Sequence, residues 1–319
     1  MRIRFWGTRG SLPVSLTAAA IEQKIVDALI AAAGRTFRSR KEALSFVERE
    51  LPFAVSHTYG GNSSCVEIDI GADEYILCDL GTGARPFGHH AIAKLGPGKP
   101  GTFHVFLSHL HWDHIMGFPY LAPAYIPGNR IVIYGCHDGI EQAFRRQHSA
   151  PCFPIDFSQL AAAIEFVRLQ PGTRHRIAGL EVTPKRQLHG GDSYGYRFEH
   201  GGKVVVYSTD SEHKTDNARV MGEFVKFFDE ADLVIFDAMY SLADTVSVKE
   251  DWGHSSNIVG VELCQLARVK HLCLYHHEPV YSDVEIASVL EETIRLEQIT
   301  RKAHQLKISS AYDGMEIVV

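Results

Sequence analysis

The sequence predicts an α/β fold in which helices cover mixed sheets. Short apolar, strand-like runs alternate with capped helical segments along most of the chain. Hairpin turns join some of the strands, which a purely parallel sheet does not allow. The titratable residues of interest stand directly after strands, where side chains gather at the rim of a sheet. No repeat, low-complexity tract or Pro/Gly/Ser-rich linker divides the chain. Residues 1–319 are therefore expected to form one domain with one insertion, and 45% hydrophobic content suffices for a large core.

Residues 1–7 read as a first strand. Residues 17–33 are alanine-rich with Ile21, Ile25 and Leu29 at helical spacing, and Gly34 stops the run. Ser39 and Glu42 fit a capping box, and Pro52 closes the second helix. Together they predict a helical hairpin over about residues 15–56. Such a pair is marginal alone and needs a surface, on the domain or on a second subunit, to bury its stripe. Strands are expected next at 65–70 and 75–78 around the turn 71–74, then at 102–107, 130–134 and 180–184. The strands 194–199 and 203–207 flank His200-Gly-Gly, a hairpin signal. Further strands are expected at 233–236 and 271–275. A helix capped by Ser255 or Ser256 lies between these two, and a capping box at Ser282 and Glu285 opens the last helix, to about Glu297.

The net charge is −6, and no basic face of the kind used for phosphate neutralisation is evident. The densest cluster, Arg35, Arg38, Arg40 and Lys41, reads as a solvated helix end. No signal peptide or membrane-length apolar run is seen, so a cytoplasmic protein with no membrane contact is expected. Six scattered cysteines form no C-x-x-C pair and read as buried free thiols.

Eighteen histidines are many for 319 residues. The strand ending at Ser108 runs into His109-Leu-His111-Trp-Asp113-His114, four potential ligands within six residues. Strand alternation points His109 and His111 the same way, while Asp113 and His114 come from the following turn. One short loop could thus serve two metals. His189, Asp210, Asp237, His276 and His277 each follow a later strand. Singly, each is more often structural; together they could supply what the first loop lacks.

The order His109-x-His111-x-Asp113-His114, His189, Asp210, His276 resembles the metallo-β-lactamase superfamily over nearly the whole chain outside the helical insertion. The resemblance implies an αββα four-layer sandwich with metals at one edge between two sheets. His109, His111 and His189 would hold one metal, Asp113, His114 and His276 the other, and Asp210 would bridge them. Such ligands suit two divalent ions, zinc first, with manganese or iron compatible. Asp237 is expected to orient a ligand histidine. His276 is preferred to His277 by its place in the motif.

Within the superfamily the sequence is similar to the phosphodiesterase branch, which includes ribonuclease Z and a cyclic-phosphate phosphodiesterase. The carrying segment is Trp252-Gly-His254-Ser-Ser, after Asp237-Ala-Met-Tyr and before the last metal motif. Gly7-Thr-Arg-Gly-Ser11 and Tyr59-Gly-Gly-Asn-Ser-Ser64 are also similar to that branch. The implied activity is a metal-dependent phosphodiesterase acting on a small or cyclic nucleotide-like phosphodiester through a hydroxide shared by the metals. Asp113 would orient the nucleophile, and His254 would bind the phosphate or protonate the leaving alkoxide. Only 20 residues separate His189 from Asp210, where ribonuclease Z of the common type carries a long arm that grips transfer RNA. A transfer-RNA substrate is therefore not expected. The insertion could lid the site or mediate a homodimer. The rival readings are a lactone, ester or thioester hydrolase and a di-iron redox or oxygen-binding protein.

Overall fold

The computed structural model describes residues 1–213, 217–239, 254–301 and 304–319. Strands β1 (Arg2–Gly7), β2 (Cys65–Asp69), β3 (Tyr75–Cys78), β4 (Thr102–Phe106), β5 (Arg130–Gly135), β6 (Ala163–Arg168) and β14 (Glu316–Val318) make one seven-stranded sheet. Its order is β14-β1-β2-β3-β4-β5-β6. The second sheet holds β7 (His175–Ile177), β8 (Leu180–Gln187), β9 (Ser193–His200), β10 (Lys203–Ser208), β11 (Leu233–Asp237), β12 (His271–Tyr275) and β13 (Lys307–Ser310), ordered β13-β12-β11-β10-β9-β8-β7. Both sheets are mixed. The strands β3 to β6 run parallel, as do β10 to β13, and the other pairs are antiparallel.

The period of two in each strand divides the core. On β11, Leu233 and Ile235 enter the layer between the sheets, where Phe5, Phe106, Tyr196, Tyr207 and Tyr275 also pack. Val234 and Phe236 face the other way, under helices α7 (Ala218–Phe228) and α8 (Asn257–Leu266). The outer face of the first sheet packs Phe103 and Val105 against α4 (Ala84–Leu95) and α6 (Ile140–Gln147). Helix, sheet, sheet, helix: the layers are those of an αββα sandwich.

The turn expected at His200-Gly-Gly joins β9 to β10, with Gly201 and Gly202 both at positive φ (57° and 73°), as a two-residue hairpin requires. The capping box at Ser282 and Glu285 opens α9 (Asp283–Thr300). Two helices form in the N-terminal insertion, α1 (Ala18–Ala31) and α2 (Arg40–Arg49), followed by the short α3 (Phe53–Ser56). Helix α2 buries Phe46, whereas the domain does not cover the apolar stripe of α1. No residue of α1 is buried, and Ile21, Ile25 and Leu29 are 47%, 55% and 67% exposed. A polar tether holds α1 instead. Lys24 Nζ pairs with the buried Asp283 carboxylate at 2.7 Å and donates to His57 O at 2.9 Å. Cys65, Cys78, Cys136, Cys264 and Cys273 are buried free thiols, while Cys152 is exposed. Among the described residues no helix is long and apolar enough to cross a membrane.

Candidate metal centre

Parallel strands in both sheets end at one rim, and the histidines and carboxylates collect there. The turn after β4 supplies His109 and His111. The short helix α5 (Trp112–Ile115) supplies Asp113 and His114, both buried. Across the cleft, His189 follows β8, Asp210 follows β10 and His276 follows β12. Three rim residues, Asp79, Asp210 and His276, have φ of 60°, 41° and 60°. Non-glycine residues reach this left-handed region only when their surroundings force them there, and such positions concentrate at functional sites.

The side chains form two groups joined through one carboxylate. His109, His111, His189 and Asp210 place ligand atoms within 4.8 Å of one another, and so do Asp113, His114, Asp210 and His276. Asp210 Oδ2 faces His109 Nε2 at 3.6 Å and His189 Nε2 at 3.7 Å. Its Oδ1 lies 3.2 Å from both His114 Nε2 and His276 Nε2. Asp113 Oδ2 closes the second group, 3.1 Å from His114 Nε2 and 3.2 Å from His276 Nε2. The backbone N–H of Ser11 donates to the same Asp113 oxygen at 2.9 Å.

The donor set fits two divalent cations. Buried His109 Nε2 has no hydrogen-bond partner, although it faces Asp210. The Nε2 atoms of His114 and His276 face each other at 3.3 Å. His114 is hydrogen-bonded through Nδ1 to Asp79, which leaves its Nε2 as a lone pair aimed at the cluster, and a cation there satisfies it. Without a cation, protons carry the positive charge. Burial opposes charge on His114, but Asp113, Asp210 and Asp79 outweigh it and raise its pKa well above the ordinary imidazole value. Burial, and then the neighbouring His114, press His109 well below that value. Burial likewise opposes ionisation of Asp210, yet His276, His114 and His109 hold its pKa well below the usual carboxylate range.

The surroundings fix the orientation of the ligands. His114 Nδ1 donates to Asp79 Oδ2 at 2.7 Å, which turns Nε2 toward the cluster. The same carboxylate accepts from Ser108 N, Ser108 Oγ and Tyr207 OH, each at 2.7 Å. Asp237 divides its attention: Oδ2 pairs with His254 Nδ1 at 2.9 Å, and Oδ1 lies 3.8 Å from His276 Nδ1. The expected task of orienting a ligand histidine thus belongs visibly to Asp79, and the close partner of Asp237 is His254. Asp237, His254 and His276 also form a third group close enough to hold a metal, but it shares His276 with the second. Backbone packs tightly here: a Cβ on Gly10 would lie 2.5 Å from His276 Nδ1.

All seven residues expected as ligands, His109, His111, Asp113, His114, His189, Asp210 and His276, converge on this rim. His277 turns away. Its Nε2 donates to Ala311 O at 2.8 Å, and burial lowers its pKa to about 3. The ring of His254 lies 5.0 Å from that of His189 and 5.2 Å from that of His276. Trp252, Gly253 and Tyr240 of the motifs around it lie outside the described residues. Sequence reasoning missed Asp79, although it too directly follows an apolar strand, the signal that selected Asp210 and Asp237. It also missed Tyr207, whose hydroxyl is invisible in a strand pattern. Beside the site, His213 is buried with Nδ1 2.7 Å from Ser255 Oγ.

The β-lactamase superfamily domain matches residues 75–277. Ribonuclease Z of Macrococcus caseolyticus is 31% identical over 129 residues, a stretch covering 39% of this chain and 39% of that protein. Ribonuclease Z of Lacticaseibacillus casei is 26% identical over 282 residues, covering 74% of this chain and 84% of the relative. The crystal structure of the short form of human tRNase Z has the same fold. Its TM-score is 0.58 at 19% identity, covering 100% of this chain and 99% of that one. These relatives correct the expectation that transfer RNA is an unlikely substrate. The physical reason is that a net charge of −6 sums over the whole surface. It does not forbid a local phosphate site, and a missing arm removes one means of gripping RNA and not the cleft.

Proposed function

Because this chain belongs to the β-lactamase superfamily and is a metal-dependent hydrolase, we propose that the bond it cleaves is a phosphodiester between nucleotides. The observation that carries this reading is His254. Burial opposes its charge, but Asp237, at hydrogen-bond distance, and then Asp210 and Asp113 raise its pKa to about 9. An imidazolium held at the edge of the cluster offers Nε2–H to a phosphate oxygen or to a departing alkoxide. Phosphodiesters with alkoxide leaving groups need such a donor, and general acid help is worth typically about 10²–10⁴-fold.

Two divalent cations held by His109, His111, His189, Asp113, His114, His276 and a bridging Asp210 would supply Lewis acidity and lower the pKa of water. The mixture of imidazole and carboxylate suits zinc, with manganese and iron compatible. Asp113, fixed by Ser11 N, would orient the attacking oxygen. His254 would move the proton to the leaving group and Asp237 would hold its ring. The ribonuclease Z relatives make RNA, including a precursor transfer RNA, the first substrate to test.

The test is His254→Ala assayed on an RNA phosphodiester and on bis(p-nitrophenyl) phosphate, with metal content measured. A nitrophenolate departs without protonation, so the RNA rate should fall by about 10²-fold or more while the nitrophenyl rate changes far less. Equal losses would reduce His254 to phosphate binding. Absence of phosphodiester cleavage by the metal-loaded protein, together with hydrolysis of a lactone or thioester, would replace the reading with carbonyl hydrolysis.

A further inference from the structure

The ligand turn carries an aromatic face that the metal site does not use. Trp112 stands between His111 and Asp113 yet is 75% exposed, and Tyr120, six residues after His114, is 59% exposed. Met116 N bonds back to Trp112 O, so Trp112 and Met116 lie one helical turn apart on the same face of α5. Met116 and Tyr120 line a cavity of about 670 Å³ together with Arg85, Pro86 and Thr82. That volume is within the range of small-molecule sites. Its lining adjoins the ligand turn along the chain, since Met116 and Gly117 directly follow the short helix that carries Asp113 and His114. A Cβ on Gly117 would meet Gly81 O at 1.8 Å, and a Cβ on Gly81 would meet Asp113 O at 2.2 Å. The backbone lining the cavity is thus packed directly on the backbone of Asp113.

The chemistry of the walls is selective. Thr82 Oγ1 is occupied by Asn62 Oδ1 and Ser63 N, and Asn62 Nδ2 by Asp313. These groups are committed to the scaffold. Tyr120 is steadied by the edge of Phe153, with ring centroids 5.7 Å apart, and presents a flat surface. Arg85 is exposed, and no hydrogen bond or ion pair holds its guanidinium among the described residues. A flat aromatic side chain and a fork of N–H donors in one lining suit a planar ring with acceptors on its edge.

We infer that this cavity binds the nucleobase of the nucleoside next to the scissile phosphate. Tyr120 and Met116 stack on the base, and Arg85 donates to its acceptor edge. A guanine, with adjacent O6 and N7 acceptors, matches the guanidinium fork best. The inference rests on the phosphodiesterase reading for the position of the phosphate.

The test measures binding of guanosine 5′-monophosphate and of inorganic phosphate to the metal-loaded full chain by titration calorimetry. The wild type should bind the nucleotide at least tenfold more tightly than phosphate. Tyr120→Ala and Arg85→Ala should each weaken the nucleotide by roughly tenfold and leave phosphate within twofold. Equal affinity of the wild type for both ligands would overturn the inference. So would variants that bind the nucleotide as tightly as the wild type. Hydrolysis of the RNA phosphodiester is followed in the same preparations. Its absence would remove the phosphodiesterase reading, while the calorimetry alone decides whether the cavity holds a base.

Discussion

Replacing Asp79 should damage metal binding and folding through separate contacts. The carboxylate is fully buried and accepts from Ser108 N, Ser108 Oγ, His114 Nδ1 and Tyr207 OH, each at 2.7 Å. Asp79→Ala removes the acceptor of all four donors, of which Ser108 Oγ and His114 Nδ1 can still meet each other at 3.3 Å. An unsatisfied buried donor costs about 1–3 kcal/mol, and since hydroxyls reorient and water enters, a loss on the order of 4 kcal/mol is expected rather than the full sum. Asp79→Asn separates the effects. The amide oxygen can still accept from Ser108 N, but its NH₂ opposes His114 Nδ1–H. The imidazole must then shift its proton to Nε2, the atom that faces Asp113 and Asp210. Metal affinity should fall by about 10–100-fold, as for other partners that orient ligands, while the metal-free protein loses less stability than with alanine. Competition against a chromophoric chelator measures the first effect, and chemical denaturation in chelator measures the second. Wild-type metal affinity in Asp79→Asn would refute the assignment of Asp79 as the residue that sets the His114 tautomer.

Metal binding near pH 7 should release a proton from His114, because the Asp113, Asp210 and Asp79 carboxylates outweigh burial and raise its pKa well above the ordinary value. Calorimetry in buffers of different ionisation enthalpy would count it, and buffer-independent heats would contradict this. Stability should also fall in acid for reasons outside the metal centre. Burial lowers the pKa of His271 and His213 to about 4, so between about pH 6.5 and 4 the unfolded chain binds more protons than the folded one. Stability is then complete above pH 6.5 and declines as pH falls, by up to about 1.4 kcal/mol per pH unit for each histidine. His271→Asn should flatten the urea midpoint between pH 7 and 5, and an unchanged slope would count against the assignment. Gly10→Ala would set a methyl group 2.5 Å from His276 Nδ1. It should lower metal occupancy, read by elemental analysis, with a far smaller effect from alanine at Gly222, where a Cβ meets open space.

What was legible in the sequence followed from apolar patterning and one positional rule. Continuous apolar runs located β4, β5, β11 and β12, because each buries one face between the sheets and the other under helices. A ligand directly after a strand has nowhere to go but the rim, so His109, Asp210 and His276 could be placed together without coordinates. Helices α4, α6 and α7 were not marked, although α7 carries a readable signal, an Asn217 cap followed by Met221, Phe224, Phe227 and Phe228 on one buried face. α4 and α6 follow Gly83 and Gly139 with no side-chain cap, and α4 carries Gly88 and two histidines within its span. The stripe Ile21, Ile25, Leu29 did mark a helix, but periodicity gives a face and not the surface that covers it. Here Lys24 and Asp283 anchor α1 while that stripe stays exposed.

The partners of the ligands were hidden for a different reason. A hydrogen bond such as Tyr207 OH to Asp79 joins residues 128 positions apart on opposite sheets, and neither strand pattern records which way a polar tip points. The left-handed φ of Asp79, Asp210 and His276 is equally absent from any pattern. Such conformations cost of order 1–3 kcal/mol each and persist where the surrounding structure over-determines them. At this rim the over-determination is visible. Asp79 is held by four donors, Asp210 lies between four imidazoles, and His276 is wedged against Gly10. The sandwich thus carries its strained backbone where three strand ends meet the clustered charges, and cations binding there would draw those strands together in the native state alone. Metal removal should therefore lower the melting temperature as well as activity, and a melting temperature indifferent to chelator would refute a centre formed by these seven side chains.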